Sequence, residues 1–305
     1  MRSEDLLDVR DDVRAALTAG EPVVALESTI IAHGFPYPDN LRLAREVEEA
    51  VRAAGAVPAT IGVVDGRVIV GLDTGQIEQF ARERDAVKVS RRNLAATLAN
   101  GKLGATTVAG TMLCAHHAGI RVFATGGIGG VHRGAATTMD ISADLTELAR
   151  TPVCVVCAGA KSILDLSLTL EYLETQGVPV LGYGTDRFPA FYTPDSGLVV
   201  PTRVETAADV AAVAARHCAF GGGGLVVAVP IPAAHALDVA YIEEITAQAV
   251  AEATRRGITG AAWTPFVLDQ VRERTGGRSV AANVALVLNN ARVAAEIGGS
   301  LLSTP

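Results

Sequence analysis

Helix-like and strand-like patterns alternate along the whole of this 305-residue chain. Short apolar runs of the kind that form buried strands are separated by stretches in which apolar residues recur every three or four positions, as on one face of a helix. Such alternation predicts a largely parallel sheet that is covered by helices on both faces. We therefore expect an α/β protein, a single-domain three-layer α/β/α sandwich around a mostly parallel mixed sheet.

The same patterns place the individual elements. Strands are predicted at 23–26, 59–64, 67–71, 86–89, 121–124, 153–157, 178–182, 198–200 and 225–229. Helices are predicted at 4–18, 40–54, 109–118, 143–149, 163–176 and 205–218, from residue 93, and three times after residue 229. Asp39 or Asn40 can cap the second helix, and Thr74 can cap the helix that follows it. The Asp65-Gly66 pair favours a hairpin, which would make its two strands antiparallel.

Composition limits the domain count and the classes of function. With 49% hydrophobic residues, the chain can build a large core without disulfides or a structural metal. No repeat or linker divides it, so one domain over residues 1–305 is expected. A formal net charge of −7 argues against a general nucleic-acid surface. Without an apolar signal core or an apolar run near about 18 residues, we expect no membrane partner and a cytoplasmic location.

The cysteines do not indicate a metal or redox centre. Cys154 and Cys157 have the spacing of such motifs, but they lie inside the predicted strand 153–157. Residues three apart on a strand point to opposite faces, so the two thiols cannot meet at one metal or bond to each other. We interpret both as small core residues.

Four polar residues fall at or near the carboxyl ends of predicted strands: Glu27, Lys88, Thr125 and Lys161. In open α/β sheets, ligands bind beyond the carboxyl ends of the strands. We therefore expect these side chains to surround one site, with Thr125 in contact with the substrate.

Lys161 is the best candidate nucleophile in the chain. It follows the buried strand 153–157 after the small residues Ala158-Gly159-Ala160. A partly dry position disfavours the charged ammonium, and a neutral amine can attack a carbonyl carbon to form a Schiff base. The alternative is a lysine that simply extends from a strand end into solvent.

Glu27 and the basic segment at Lys88 support the same interpretation. A carboxyl group at the end of a buried strand can have a raised pKa and act as a general acid, although a turn or helix cap is an equal alternative. Lys88 and Ser90 share a strand face, and Asn93 can cap a helix whose first amides favour an anion. The segment suits one phosphate monoester, and the alternative is a solvated basic turn.

Two loop segments add further groups. The glycine-rich run 126–134 matches neither the dinucleotide nor the P-loop pattern, but its backbone can wrap a small ligand and present His132 and Arg133. Asp140 and Asp144 suit a hard divalent cation such as Mg²⁺ or Mn²⁺. The alternative is that this acidic segment caps the next helix.

Two asparagines lie one heptad apart on the last predicted helix. Asn283 and Asn290 therefore share a face of that helix. An asparagine on an apolar helix is often a buried hydrogen-bonding residue, and it can equally bind a ligand amide or hydroxyl. We expect Asn283 to contact the substrate.

Taken together and in order, these segments resemble the pseudouridine-5′-phosphate glycosidase family, also described as indigoidine-synthase-A-like. The resemblance extends from about residue 4 to residue 298. The segments are PVVALESTIIAHG (22–34), KVSRR (88–92), GATTV (104–108), TGGIGGVHRG (125–134), DISAD (140–144), AGAKSILD (158–165) and AN onward to NN (282–290). One departure is residues 135–139, which are less acidic than the family pattern leading into its aspartate.

The resemblance implies a role for each matching residue. Glu27 matches the family's proton donor, and Lys161 matches the nucleophile that forms an imine with ribose C1′. Lys88 and the backbone around Val108 match substrate contacts. Asp140 matches the ligand of a divalent metal, usually Mn²⁺.

The resemblance also implies an assembly and a reaction. Ser142, Ala143 and Asp144 match a strip that binds the substrate, and the family is homotrimeric. Its reversible reaction splits pseudouridine 5′-phosphate with water into uracil and ribose 5-phosphate. To these roles we add His132 as a proton shuttle.

Two other functions would use the same residues. A Schiff-base phosphosugar lyase or aldolase shares Lys161 and the Lys88 segment but needs no nucleobase. A non-catalytic sugar-phosphate sensor would bind tightly without turnover and without a reactive lysine. A lysine, a glutamate and an aspartate of the kind that binds metals, all at strand ends, argue against a plain sensor.

Overall fold

One mixed sheet forms the centre of the molecule. In the computed structural model, which describes residues 3–258 and 260–303, this sheet has eleven strands. The strands, β1 to β11 in chain order, are Leu7–Val9, Val23–Glu27, Val57–Val64, Arg67–Val70, Val87–Val89, Gly104–Thr106, Val122–Ala124, Cys154–Cys157, Val180–Tyr183, Thr202–Val204 and Leu225–Ala228. The predicted α/β class with a mostly parallel mixed sheet is confirmed.

The strand order explains where a site can form. It is β1-β4-β3-β2-β7-β8-β11-β9-β10, and β6 pairs with both β3 and β5. Among the described strands, only β4 and β6 run antiparallel to β3, and the rest pair in parallel. Every residue of β2, β7, β8 and β11 is buried, as expected for parallel strands covered on both faces. These strands therefore bring their carboxyl ends together at one edge.

Helices flank the sheet. They are, α1 to α13 in chain order, Asp11–Ala19, Thr29–His33, Asp39–Ala53, Thr74–Arg82, Leu94–Ala99, Val108–His117, Ala135–Thr138, Ala143–Arg150, Leu166–Thr175, Ala207–Ala219, Val239–Arg255, Trp263–Arg274 and Arg278–Leu302. The long helix α13 packs against β2, β7 and β8 and between α3 and α10, while α6 and α8 pack together elsewhere on the sheet. Because α13 crosses three central strands, its buried face reaches the turns that follow them.

The hairpin prediction is confirmed. Strands β3 and β4 pair antiparallel on either side of Asp65 and Gly66, whose φ angles are 48° and 75°. Positive φ at both turn positions is what a two-residue hairpin turn needs. The cysteine interpretation also holds, because Cys154 and Cys157 are both free and buried in β8.

Several boundaries predicted from sequence are wrong. The predicted helix at 4–18 contains a strand, since Leu7–Val9 adds to the edge of β4 and the helix begins only at Asp11. The strand expected near 198–200 lies at Thr202–Val204, beside β9. Strand β6 and the short helices α2 and α7 were not predicted, because segments of this length carry too little periodicity.

The predicted helix caps also need correction. Asp73, not Thr74, caps α4, and it forms a reciprocal capping box with Gln76. Neither Asp39 nor Asn40 is the N-cap of α3, because the helix begins at Asp39 after Pro38. The buried Asn40 amide donates to the carbonyls of Ile31 and Ala81, and its oxygen accepts from the N–H of Leu41. Asp165 caps α9, so that helix begins at 166 and not at 163. Within the described residues, no helix is long and apolar enough to span a membrane.

Candidate active site

A cavity of about 220 Å³ lies at the carboxyl edge of the central strands. Nearly every residue predicted from the sequence lines it: Glu27, Lys88, Val108, Thr125, His132, Asp140, Ser142, Asp144, Lys161 and Asn283. The exception is Ala143, the first residue of α8, whose side chain is exposed. Segments that are far apart in sequence therefore meet at one place.

Glu27 is the last residue of β2 and is only 9% exposed. Thr125, just after the neighbouring strand β7, donates its hydroxyl to Glu27 Oε1 at 2.5 Å. Burial raises the pKa of Glu27, and the Lys161 charge and the Thr125 hydrogen bond only partly oppose that rise. Behind the carboxyl group a cavity of about 20 Å³, lined mostly by apolar side chains, has room for about one water. Glu27 is therefore placed to keep its proton to a higher pH than an ordinary carboxyl group and to deliver it into the main cavity.

Lys161 is held by a tight turn after β8. Its backbone N–H donates to the carbonyl of Ile128 in the glycine-rich segment. Gly159 in the same turn has φ of +78°, and a Cβ there would lie 2.1 Å from the carbonyl oxygen of Pro189. Only glycine fits this close approach. The half-buried ammonium of Lys161 has no hydrogen-bond or ion-pair partner among the residues that the structure describes.

Lys88 in β5 is the second lysine of the cavity. Burial, and then the nearby Lys161 charge, lower the pKa of Lys88. Its ammonium also lacks an ion-pair partner in the described chain. Asn93 fixes the turn that follows, since its side chain accepts from Ser90 N–H and donates to the Lys88 carbonyl.

The other candidate phosphate ligands do not line this cavity: Arg91 and Arg92 of the Lys88 segment, and Arg133 of the glycine-rich run. Arg91 is committed to Glu147, which is 3% exposed and accepts from two of its guanidinium nitrogens. Arg133 is exposed and lines a different cavity, next to Ser162. Lys88 is therefore the cation of that segment that faces the site.

In the acidic segment 140–144, Ser142 and Asp144 hold the local structure, whereas Asp140 lies at the cavity. Both oxygens of the buried Asp144 carboxylate accept backbone N–H groups, from Ala109 in α6 at 2.9 Å and from Gly129 at 2.8 Å. Ser142 caps α8, in agreement with the structural alternative left open by the sequence. Asp144 thus ties the start of α6 to the glycine-rich segment and keeps Val108 at the cavity wall.

His132 and Asp140 lie together at the cavity, with His132 Nδ1 3.7 Å from a carboxylate oxygen of Asp140. The His132 ring meets Trp263 edge to face, with centroids 4.8 Å apart. Burial lowers the pKa of His132 despite the attraction of Asp140. No three His, Cys, Asp or Glu side chains converge as a metal-ligand set within residues 3–258 and 260–303.

Sequence reasoning missed the apolar wall of the cavity. Phe191, which is 2% exposed and has a φ of 65°, packs so closely on Gly127 that a Cβ there would lie 2.6 Å from its ring. Leu268 and Pro265 of α12 complete this wall, and the polar His33 of α2 also lines the cavity. The aromatic-rich segment Phe188–Tyr192 after β9 was the available signal, but nothing in its spacing indicated a ligand.

The comparisons with known proteins identify the family of this chain. Residues 12–300 match the family model described as indigoidine synthase A like protein. This chain belongs to that family. The resemblance drawn from the sequence is therefore confirmed.

Curated relatives cover nearly the whole chain. A protein of Methylobacterium nodulans named pseudouridine-5′-phosphate glycosidase is 56% identical over 97% of this chain and 88% of its own length. One of the same name from Geobacillus kaustophilus is 55% identical over 97% and 99%.

Solved structures share the fold. A prealnumycin C-glycosynthase crystallised with ribulose 5-phosphate superposes with a TM-score of 0.91, at 44% identity over 98% of this chain and 97% of its own. An indigoidine synthase A-like protein of Thermotoga maritima gives 0.88, at 34% identity over 97% of both chains.

Proposed function

We propose that this chain is a pseudouridine-5′-phosphate glycosidase. The observation that carries the proposal is a pair of half-buried lysines, Lys88 and Lys161, which share one cavity with the buried carboxyl group of Glu27. Neither ammonium has an ion-pair partner among the described residues. Buried charges are normally compensated, so such a site suits a phosphate dianion and a reactive amine. The names of the curated relatives point to the same reaction.

The phosphate end of the substrate lies at the start of α6. The first amide of that helix, Val108 N–H, has no partner within the helix and attracts an anion, as helix N-termini do. Lys88 supplies the positive charge, and the Ser142 hydroxyl supplies a further donor. The ribose then extends from this end toward Lys161.

The bond to be broken explains the use of a lysine. Ordinary glycosidases use two carboxyl groups, because the leaving oxygen or nitrogen can be protonated directly. In pseudouridine, ribose C1′ is bonded to carbon C5 of uracil, which is a poor leaving atom. An amine bonded to C1′ can donate its electron pair to C1′ as the C1′–C5 bond breaks, so that an imine forms and C1′ does not become an unstabilised cation.

The steps balance with one water. The Lys161 nitrogen bonds to C1′ as the C1′–O4′ bond breaks and O4′ takes a proton. Glu27 delivers a proton to uracil C5, the C1′–C5 bond breaks, and the electron pair on nitrogen forms an imine with C1′. Water then hydrolyses the imine, which releases ribose 5-phosphate and returns Lys161. His132 is placed to shuttle protons.

The base end of the substrate lies near α13. The Oδ1 atom of Asn283 is buried and has no hydrogen-bond partner in the described chain. An unused acceptor at this position suits an N–H of uracil. Phe191 and Leu268 provide the apolar surface for the ring.

The site could hold a divalent cation such as Mn²⁺ or Mg²⁺ through a single carboxylate, that of Asp140. Asp140 is about half exposed at the cavity, whereas both oxygens of Asp144 are already used by backbone N–H groups. One free carboxylate suits a cation that keeps most of its water and also binds substrate oxygen. Asp140 would hold the cation, which would neutralise charge on the bound substrate. Metal dependence, the homotrimer and the cytoplasmic location remain predictions.

The test is incubation of the purified protein with pseudouridine 5′-phosphate and Mn²⁺, with uracil followed by chromatography. We expect stoichiometric uracil and ribose 5-phosphate, and borohydride added with ribose 5-phosphate should leave a covalent mass increase on the peptide of Lys161. Loss of ribose 5-phosphate without any need for uracil would favour the phosphosugar lyase. Tight binding without turnover or adduct would favour the sensor.

A further inference from the structure

A second asparagine of α13, Asn290, lies behind the site and does not line its cavity. It is 0% exposed, and its Nδ2 donates to the carbonyl of Thr125 at 2.8 Å and that of Gly126 at 3.4 Å. Asn290 therefore cannot touch the substrate, but it holds the backbone of the turn that follows β7.

This turn carries the hydrogen-bond donor for Glu27. The Thr125 hydroxyl reaches Glu27 Oε1 at 2.5 Å, and the Thr125 N–H is fixed to the carbonyl of Val156 in β8. With its N–H held by one element and its carbonyl by another, the Thr125 backbone has one orientation. That orientation determines where its hydroxyl, and hence the carboxyl group of Glu27, can lie.

The helix also sits directly on the turn. A Cβ at Gly126 would lie 3.1 Å from the Val287 side chain and 3.3 Å from Asn283 Oδ1. At the same time Asn290 Oδ1 is buried with no hydrogen-bond partner among the described residues. The unused Oδ1 costs stability, whereas the Nδ2 hydrogen bond satisfies the buried carbonyl of Thr125. A leucine of similar size would leave that carbonyl without the Asn290 donor, so its first effect would be on the Thr125–Gly126 backbone.

We propose that Asn290 is a positioning residue for the proton donor, acting through the Thr125–Gly126 backbone and the Thr125 hydroxyl on Glu27. This inference rests on the proposed function, because it gives Asn290 a part in proton delivery. It makes α13 a support for two parts of the site, with Asn283 at the cavity and Asn290 behind it.

The first test compares Asn290→Leu with Asn289→Leu. Asn289 is the neighbouring residue on the same helix and is half-buried, and among the described residues its side chain accepts a hydrogen bond only from Arg292. We expect Asn290→Leu to lower kcat for uracil release by about 10- to 100-fold, the usual cost of misplacing a catalytic group, with KM within about threefold. Asn289→Leu should keep both constants.

The pH profile separates positioning from a loss of stability. Glu27 donates its proton, so activity falls as pH rises through its pKa, and the Thr125 hydrogen bond lowers that pKa. Losing this bond in Asn290→Leu should move the alkaline limb to higher pH. The charged groups that face Glu27 are Lys161, Asp144 and Lys88, and none of them is altered.

A double-mutant cycle tests the route of action. Thr125→Val removes the hydroxyl, and Thr125→Ser keeps it. If Asn290 acts through that hydroxyl, Asn290→Leu should cause little further loss of kcat in the Thr125→Val protein and its full loss in the Thr125→Ser protein. Equal losses in both backgrounds, or an unmoved alkaline limb, would overturn the proposal.

A direct titration distinguishes this proposal from the proposed function. Infrared difference spectra can follow the protonation of Glu27 without any substrate. The protein is labelled with ¹³C-glutamate, and the carboxyl band of Glu27 is identified by its absence in Glu27→Gln. A higher midpoint in Asn290→Leu supports positioning even if the wild type releases no uracil, and an unchanged midpoint refutes it even if uracil is released. If Asn290→Leu does not fold, Asn290→Ala, which only removes atoms, serves in its place.

Discussion

The two edges of the central sheet differ in whether they bury ionisable side chains that have no ion-pair partner. At the carboxyl edge, the side chains of Glu27, Lys88 and Lys161 are buried or half-buried in a cavity of about 220 Å³ without ion pairs among the described residues. At the amino edge, a larger cavity of about 520 Å³ is lined mainly by apolar side chains and glycines around the starts of β7, β8 and β11, such as Val153 and Leu225. The smaller cavity is the one that contains the candidate catalytic residues.

This difference shows that size is a poor guide to function. The amino edge is organised by burial alone, so substitutions there should change stability and leave turnover intact. The carboxyl edge keeps charges that destabilise the fold unless a ligand compensates them. Substitutions there should reduce turnover strongly and change stability little, or even raise it.

The largest expected effect is that of Lys161→Ala at the carboxyl edge. Uracil release should fall by at least about 10⁴-fold, as when covalent nucleophiles are removed from other enzymes. Stability should hardly change, because the ammonium has no partner to lose in the described structure. The chain has three lysines, and the exposed Lys102 gives a matched control in Lys102→Ala. Near-native turnover by Lys161→Ala would end the covalent scheme.

The second effect is that of Glu27→Gln. Turnover should fall by about 10²- to 10³-fold, the usual contribution of a general acid. Glutamine can still accept the Thr125 hydrogen bond, so the site geometry is kept.

Glu27→Gln should also change stability with pH. Burial raises the folded-state pKa of Glu27 above its ordinary value of 4.5. The carboxyl group therefore favours folding when protonated, and that contribution is lost as pH rises through the raised pKa. We expect thermal denaturation to show little difference between wild type and variant at pH 4 and a gain for the variant at pH 8. A variant that is less stable at both would contradict the view that the carboxyl edge is kept at a cost in stability.

The third effect lies at the amino edge. Leu225, 2% exposed at the start of β11, lines the larger cavity. Leu225→Ala should lower the free energy of unfolding by about 2–4 kcal/mol, as for other buried leucines. In urea titrations the midpoint should drop, while kcat of the folded protein stays within about twofold. A fall in kcat comparable to that of Glu27→Gln would show that the two edges are coupled.

The fold was predictable where patterns are long. The parallel strands β2, β7, β8 and β11 are apolar runs that are buried on both faces, and the Asp65-Gly66 turn identified the hairpin. The edge strand Leu7–Val9 was not predictable, because its alternation fits a helix as well as a strand until its pairing with β4 is known.

The site was predictable where polar residues interrupt apolar strand ends, as Glu27 and Lys161 do. The contacts that hold these residues in place were not predictable. That Asp144 binds two backbone N–H groups, and that Arg91 is neutralised by Glu147, depends on contacts between segments far apart in sequence. Phe191 likewise shows no periodic signal, and its place at the cavity depends on the close approach that Gly127 allows.

The smallest expected effect tests the amino edge at its surface. Cys218 in α10 is exposed and lines the larger cavity, whereas the other three cysteines are buried. Burial raises the pKa of Cys114 and of Cys157 to about 12, so iodoacetamide should modify Cys218 alone in the folded protein. Cys218→Ser should alter the free energy of unfolding by less than about 0.5 kcal/mol and leave kcat unchanged. Among the described residues, no cysteine lines the cavity at the carboxyl edge. If iodoacetamide lowered turnover in the wild type but not in Cys218→Ser, the amino-edge cavity would therefore be coupled to the candidate site.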